Sequence, residues 1–123
     1  MEVILDTNFI ISCMLKRIDF MEQLGNLGFV VKIPKEVIEE LKDLKNDNKK
    51  TSRKEREIIN VALSWLEEKK VKKIKLGGKV DSKLIERGKE GIYIATLDNG
   101  IKREIPNKVV INNAAGRVEV ARD

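Results

Sequence analysis

Val3-Ile4-Leu5-Asp6-Thr7-Asn8 is a short apolar run that ends on an aspartate, and Ile92-Tyr93-Ile94-Ala95-Thr96-Leu97-Asp98 repeats the pattern late in the chain. Short apolar runs closed by polar turn residues read as buried strands. In parallel α/β sheets ligands bind beyond the carboxyl ends of the strands, so two acids far apart in sequence are set to converge on one cation. These two runs therefore predict a parallel sheet with an acidic rim.

Working outward, strand-like and helix-like segments alternate. Residues 3–5 predict a strand, 7–15 and 20–27 two helices, and 29–33 a second strand, with Gly25 and Gly28 around the turn before it. Pro34 suits the first position of a helix running to about Lys45, where Asn46-Asp47-Asn48 breaks it. Ser52 and Glu55 have the spacing of a capping box, which opens a long helix to about Lys69 whose Ile58, Ile59, Ala62, Leu63, Trp65 and Leu66 belong in the core. Residues 71–76 predict a lysine-rich edge strand ended by Gly77-Gly78. A helix at 81–88, a strand at 92–95, a helical turn after Asp98 and a strand at 108–111 follow, with 118–120 as a further strand. The expected architecture is α/β: a three-layer α/β/α sandwich around a mostly parallel sheet of about five strands, in one domain spanning 1–123.

Composition narrows the chemistry. The 123 residues include one cysteine, Cys13, and no histidine, which excludes an internal disulfide, a His/Cys zinc site and any histidine-based triad. No apolar run approaches the roughly 18 residues that cross a bilayer, and the amino terminus enters a strand without a signal-peptide pattern. The expected location is the cytoplasm, with no membrane partner. Lys and Arg number 25 against 20 Asp and Glu, a net charge of +5 that favours an anionic partner. Lys69, Lys70, Lys72, Lys73, Lys75 and Lys79 fall in one stretch without an acid, a phosphate-contacting surface or a solvated edge. The 37% of charged residues also suits a heat-adapted surface.

Helix geometry sorts the glutamates after Pro34. At about 100° per residue, Val37, Leu41 and Leu44 centre one apolar stripe. Glu39 falls opposite it, Glu36 points well round toward solvent, and Glu40 lies on the flank, able to face the sheet edge. Asp6, Asp81 and Asp98 each stand at the start of a predicted helix, where an aspartate is a good cap without further chemistry. Taken together with Glu40 they make an oxygen-only set suited to Mg²⁺ or Mn²⁺. Crowded carboxylates repel unless a cation is present.

At these residues the chain resembles the PIN-domain ribonucleases. Asp6-Thr7-Asn8 after a buried strand is similar to the family's opening motif. Pro34, Val37, Glu40 and Leu41 fit its proline, valine, glutamate, leucine helix start, and Asp81 opens the next motif. Ile94-Ala95-Thr96-Leu97-Asp98, followed by Lys102-Arg103, resembles the last acidic motif, 17 residues beyond Asp81. The ending Ile105-Pro106-Asn107-Lys108-Val109-Val110-Ile111 resembles the ribosome-biogenesis branch. Ser82 stands where that branch has a second aspartate, and Leu97 where it has an asparagine.

The resemblance implies a metal-dependent endoribonuclease that cuts single-stranded RNA or an rRNA precursor. It implies Asp6, Glu40, Asp81 and Asp98 as catalytic metal ligands, Asn8 and Thr96 as their hydrogen-bond partners, and Thr7 as a helix cap. Lys69, Lys70, Lys72, Lys73, Lys102 and Arg103 are the expected RNA contacts, with a homodimer or a ribosome-biogenesis particle as the assembly. A toxin ribonuclease of the VapC type uses the same acids but needs an antitoxin partner, and a non-catalytic RNA-binding scaffold is the third reading.

Overall fold

Alternation along the first strand sets the layers. Strand β1 (Glu2–Leu5) sends Val3 and Leu5 into one hydrophobic cluster and Ile4 into another, and all three are buried. A strand covered on both faces is what a central parallel strand requires. The computed structural model, which describes residues 1–122, places β1 inside a six-stranded sheet.

Helices α1 (Thr7–Leu15) and α2 (Phe20–Asn26) follow, then β2 (Val30–Pro34), α3 (Lys35–Lys45) and α4 (Arg53–Glu68). Strand β3 (Lys72–Ile74), α5 (Val80–Lys89), β4 (Tyr93–Ala95), α6 (Asn99–Glu104), β5 (Asn107–Asn112) and β6 (Arg117–Arg122) complete the order. The sheet runs β3-β2-β1-β4-β5-β6, parallel except for the β5–β6 pair. Residues from α1 to α4 pack with Val3, Leu5, Tyr93, Ala95 and Val109 on one face. Leu84 of α5 and Ile101 of α6 pack with Ile4 and Ile94 on the other. The three-layer α/β/α architecture expected from sequence is the one found, with six strands instead of about five. Strand β6 extends its predicted core of 118–120 at both ends because every residue of it pairs with β5.

Chain order explains where a ligand fits. From β1 the chain first builds outward through β2 and β3, then returns to the other side of β1 for β4 and β5. The reversal falls between β1 and β4, and such switch points open a crevice at the carboxyl ends of the strands. Asp6 N donates to Ala95 O at 2.9 Å, closing the ladder at that crevice.

Local structure departs from expectation at Pro34. It is the last residue of β2 and the N-cap of α3, with ψ at 139°. Extended backbone on a residue with φ already near −61° lets the strand pass into the helix with no intervening loop. The capping box at Ser52 and Glu55 forms as expected, with both reciprocal hydrogen bonds present. Thr51, buried just ahead of it, donates to Leu44 O and Asp47 O and ties the α3–α4 connection down.

Candidate metal centre

Acidic side chains gather at the carboxyl edge of the sheet from separate elements. Asp6 follows β1, Asp98 follows β4, Glu40 lies in the second turn of α3, and Asp81 is the second residue of α5. Asp6 is the deepest, at 8% exposure. Its Oδ1 accepts from Thr7 N at 2.8 Å and its Oδ2 from Thr96 Oγ1 at 2.9 Å. The Thr96 hydroxyl, itself fully buried, accepts from Asp98 N at 3.1 Å, so one side chain couples the two strand-end aspartates.

Electrostatics show that these carboxylates sense one another. Burial pushes the Asp6 carboxyl above its ordinary value, with the charges of Asp81 and Asp98 adding to the rise and the bonds from Thr96 and Thr7 opposing it. Glu40 is raised as well, first by partial burial and then by the charges of Asp6, Asp81 and Asp43, while Thr7 opposes the shift. Opposite signs of charge would lower such values; like charges in one crevice raise them.

The aspartates also do ordinary structural work. Asp6 is the N-cap of α1, and Asp98 caps α6 by accepting from Gly100 N at 2.7 Å and Ile101 N at 3.2 Å through Oδ1. Asp81 differs: the N-cap of α5 is Lys79, which makes no side-chain cap. Thr7, expected as a helix cap, is the first helical residue instead, and its Oγ1 is buried with no hydrogen-bond partner among the described residues. That hydroxyl lies near enough to Glu40 to favour its charged form without closing a hydrogen bond. Asn8 is exposed on α1.

Among the described residues no three acids stand close enough to chelate an ion directly. The donor set nonetheless fits a hard divalent cation. It is oxygen-only, the charges of its members help to raise Asp6 and Glu40, and an orphaned buried hydroxyl, that of Thr7, follows Asp6 in the chain and lies near Glu40. Mg²⁺ keeps several of its waters, so carboxylates spaced wider than a direct chelate suit it.

The basic residues fall into separate groups. Lys69 is the C-cap of α4, Lys70 has φ of 53°, and Lys72 and Lys73 are exposed on the edge strand β3. Lys102 and Arg103 line a pocket of about 510 Å³ with Asn99 and Lys108. Lys108 Nζ donates to Lys102 O and Ile105 O at 3.0 Å, at the carboxyl end of α6. Beside Glu40 runs a groove of about 520 Å³ lined by Lys35, Glu36, Glu39, Asp43 and Lys75. Two other grooves of about 580 Å³ each contain none of the four acids.

Glu36 has partners that the helical wheel could not show. Its carboxylate lies at the surface, yet it accepts from Leu76 N at 3.1 Å and Gly77 N at 2.9 Å. Those backbone donors hold its pKa below the ordinary value. Exposed Glu39 pairs with Lys42 at 3.5 Å. Sequence reasoning missed Lys35 and the backbone partners of Glu36, because partners 40 residues apart leave no local pattern; Lys75 was legible only as one of a run of lysines, and the Gly77-Gly78 turn was the one visible sign of unusual backbone there.

Residues 3–114 match the family described as PIN domain. The chain belongs to the PIN-domain family. A solved structure described as the PIN domain endonuclease Utp24 is similar to it, with a TM-score of 0.75 at 23% identity, covering 99% of this chain and 92% of that one. A search among curated proteins found no match. Asp6, Glu40, Asp81 and Asp98 all lie inside the matched span.

Proposed function

We propose that this PIN domain is a divalent-metal-dependent endoribonuclease acting on single-stranded RNA, working in the cytoplasm in rRNA processing. The observation that carries the reading is the electrostatic convergence of Asp81 and Asp98 on buried Asp6, and of Asp6 and Asp81 on Glu40, at the sheet's switch point. The fold of a PIN endonuclease supports the reaction class. The ribosome-biogenesis assignment also draws on the ending Ile105-Pro106-Asn107-Lys108-Val109-Val110-Ile111.

Asp6, Glu40, Asp81 and Asp98 would hold Mg²⁺ or Mn²⁺, in part through waters. Bound there, the cation would supply the activated water and the charge neutralisation on the phosphoryl oxygens that phosphodiester hydrolysis needs in a chain without histidine. The Thr96 hydroxyl orients Asp6 and favours its ionised form against the effect of burial. The capping bonds to Asp98 Oδ1 fix that carboxyl group and leave Oδ2 for a ligand. Lys102 and Arg103 in one groove, and Lys35 and Lys75 in another, would meet backbone phosphates.

A non-catalytic RNA-binding PIN module is the competing reading, favoured by Ser82, by Leu97 and by the wide spacing of the acids. Incubating pure protein with structured and unstructured RNAs in Mn²⁺, Mg²⁺ or EDTA separates the two. Cleavage of unstructured RNA that EDTA and Asp6→Asn both abolish is the expected result. RNA retained intact under every condition would leave the scaffold reading standing.

A further inference from the structure

We infer that Glu36 is a positioning residue for the acidic centre: its carboxylate clamps Leu76 N and Gly77 N and so fixes the segment that sets Asp81 against Asp6 and Glu40. The inference rests on reading those acids as a metal centre. Residues 75–79 are all that separates the end of β3 from the start of α5. Within them Gly77 has φ of 79° and carries no side chain to pack, and Lys79 provides no side-chain cap for α5. Such a segment has a wide choice of backbone states unless something outside it selects one.

Two anchors make that selection. The Leu76 side chain is buried with Ile4, Leu84, Ile94, Ile101 and Ile105, and Glu36 takes the amides of Leu76 and Gly77. Charge-assisted bonds from backbone donors to a carboxylate are among the stronger ones. Glu36 and Glu40 are four residues apart and therefore neighbours on one face of α3. One turn of helix thus carries both the acid that senses Asp81 and the clamp that holds the chain leading to Asp81. Because α3 starts directly from β2, the clamp is referenced to the sheet without an intervening loop.

The test is a double-mutant cycle on Mn²⁺ binding, read by calorimetry, using wild type, Glu36→Ala, Asp81→Asn and the double variant. Amide exchange at Leu76 and Gly77 is followed in the metal-free proteins, and Glu39→Gln is the control. Supporting partners of metal ligands tune affinity by about tenfold to a hundredfold. Glu36→Ala should weaken Mn²⁺ by about tenfold and lose protection at both amides, Glu36→Gln should recover part of both, and Glu39→Gln should match wild type. If Glu36 acts through Asp81, the double variant binds no more weakly than Asp81→Asn alone. Mn²⁺ affinity unchanged in Glu36→Ala, or losses that simply add in the double variant, would overturn the positioning role while leaving the metal centre intact. Wild-type protein that gives no Mn²⁺ heat would instead remove the metal centre, and the inference with it. Should Glu36→Ala fail to fold, Glu36→Gln takes its place in the cycle, and the same two outcomes overturn the role.

Discussion

At the scale of single residues, Thr96 shows how one hydroxyl serves both fold and site. It donates to Asp6 Oδ2 and accepts from Asp98 N, with no exposure to water. Thr96→Val keeps the volume and removes both bonds, leaving a buried carboxylate and an amide short of a partner. The expected cost at pH 7 is about 1–3 kcal/mol, measured by urea unfolding. Its pH dependence has a definite sign. Asp6 lies above its ordinary 3.8 in the folded protein, so the metal-free chain is most stable with Asp6 protonated and loses that contribution as pH rises through the folded value. Thr96 favours the ionised form, hence the deficit of Thr96→Val should be full at neutral pH and shrink on acidification toward 3.8. A deficit that stays constant over this range would mean that Thr96 acts on packing alone. At this scale the sequence pointed to Asp6 and Asp98 through their place after apolar runs, to Asp81 through its place at a helix start and to Glu40 through its place on the flank of a helix. It did not show Glu36, whose partners are set by the return of β3 beside β2.

Elements were more legible than their joints. Helix α1 runs from Thr7 to Leu15 as expected, and α4 begins after its capping box, because both carry local signals in caps and in 3.6-residue spacing. Strands β5 and β6 lengthen each other by pairing, which no periodicity announces. The close approach of α5 and α6 is likewise a tertiary fact. A Cβ on Gly88 would stand 2.3 Å from Ile105 Cγ2 and 3.3 Å from Ile94 Cγ1. Replacing Gly88 by Ala improves intrinsic helix propensity by about 1 kcal/mol, yet it forces two buried isoleucines to move, at about 1–3 kcal/mol for overpacking. Since a 2.3 Å contact cannot be absorbed without displacement of Ile105, the C-cap of α6, the clash should win. Gly88→Ala should lower the thermal midpoint, and Ile105→Ala should relieve part of the loss in the double variant. A midpoint raised by Gly88→Ala would show that α6 shifts at no cost, and with it the start of the helix that Asp98 caps.

Across the whole molecule, strand direction decides which lysines matter. The excess of five positive charges is spread over the chain, and the run from Lys69 to Lys79 stands out by sign alone. Strand β3 divides that run. Being parallel to β2, it has Lys69 and Lys70 before its amino end, on the edge of the sheet opposite the acids, and delivers Lys75 at its carboxyl end beside Glu36 and Glu40. Lys35, the first residue of α3, lines the same groove. Phosphates neutralised by lysines are counted by the dependence of binding on salt, and on a single strand each phosphate left without its cation flattens the slope of log K against log salt by about 0.7. Lys35→Gln with Lys75→Gln should therefore flatten the slope for an unstructured RNA, as should Lys102→Gln with Arg103→Gln. Lys69→Gln with Lys70→Gln removes the same formal charge but sits at the far edge, where screening over a Debye length of about 8 Å at physiological salt hides it from a strand crossing the acids. That variant should keep the wild-type slope. Equal flattening by the near and far pairs would show that RNA is held by the diffuse positive field of the chain, without a track across the carboxyl edge of the sheet.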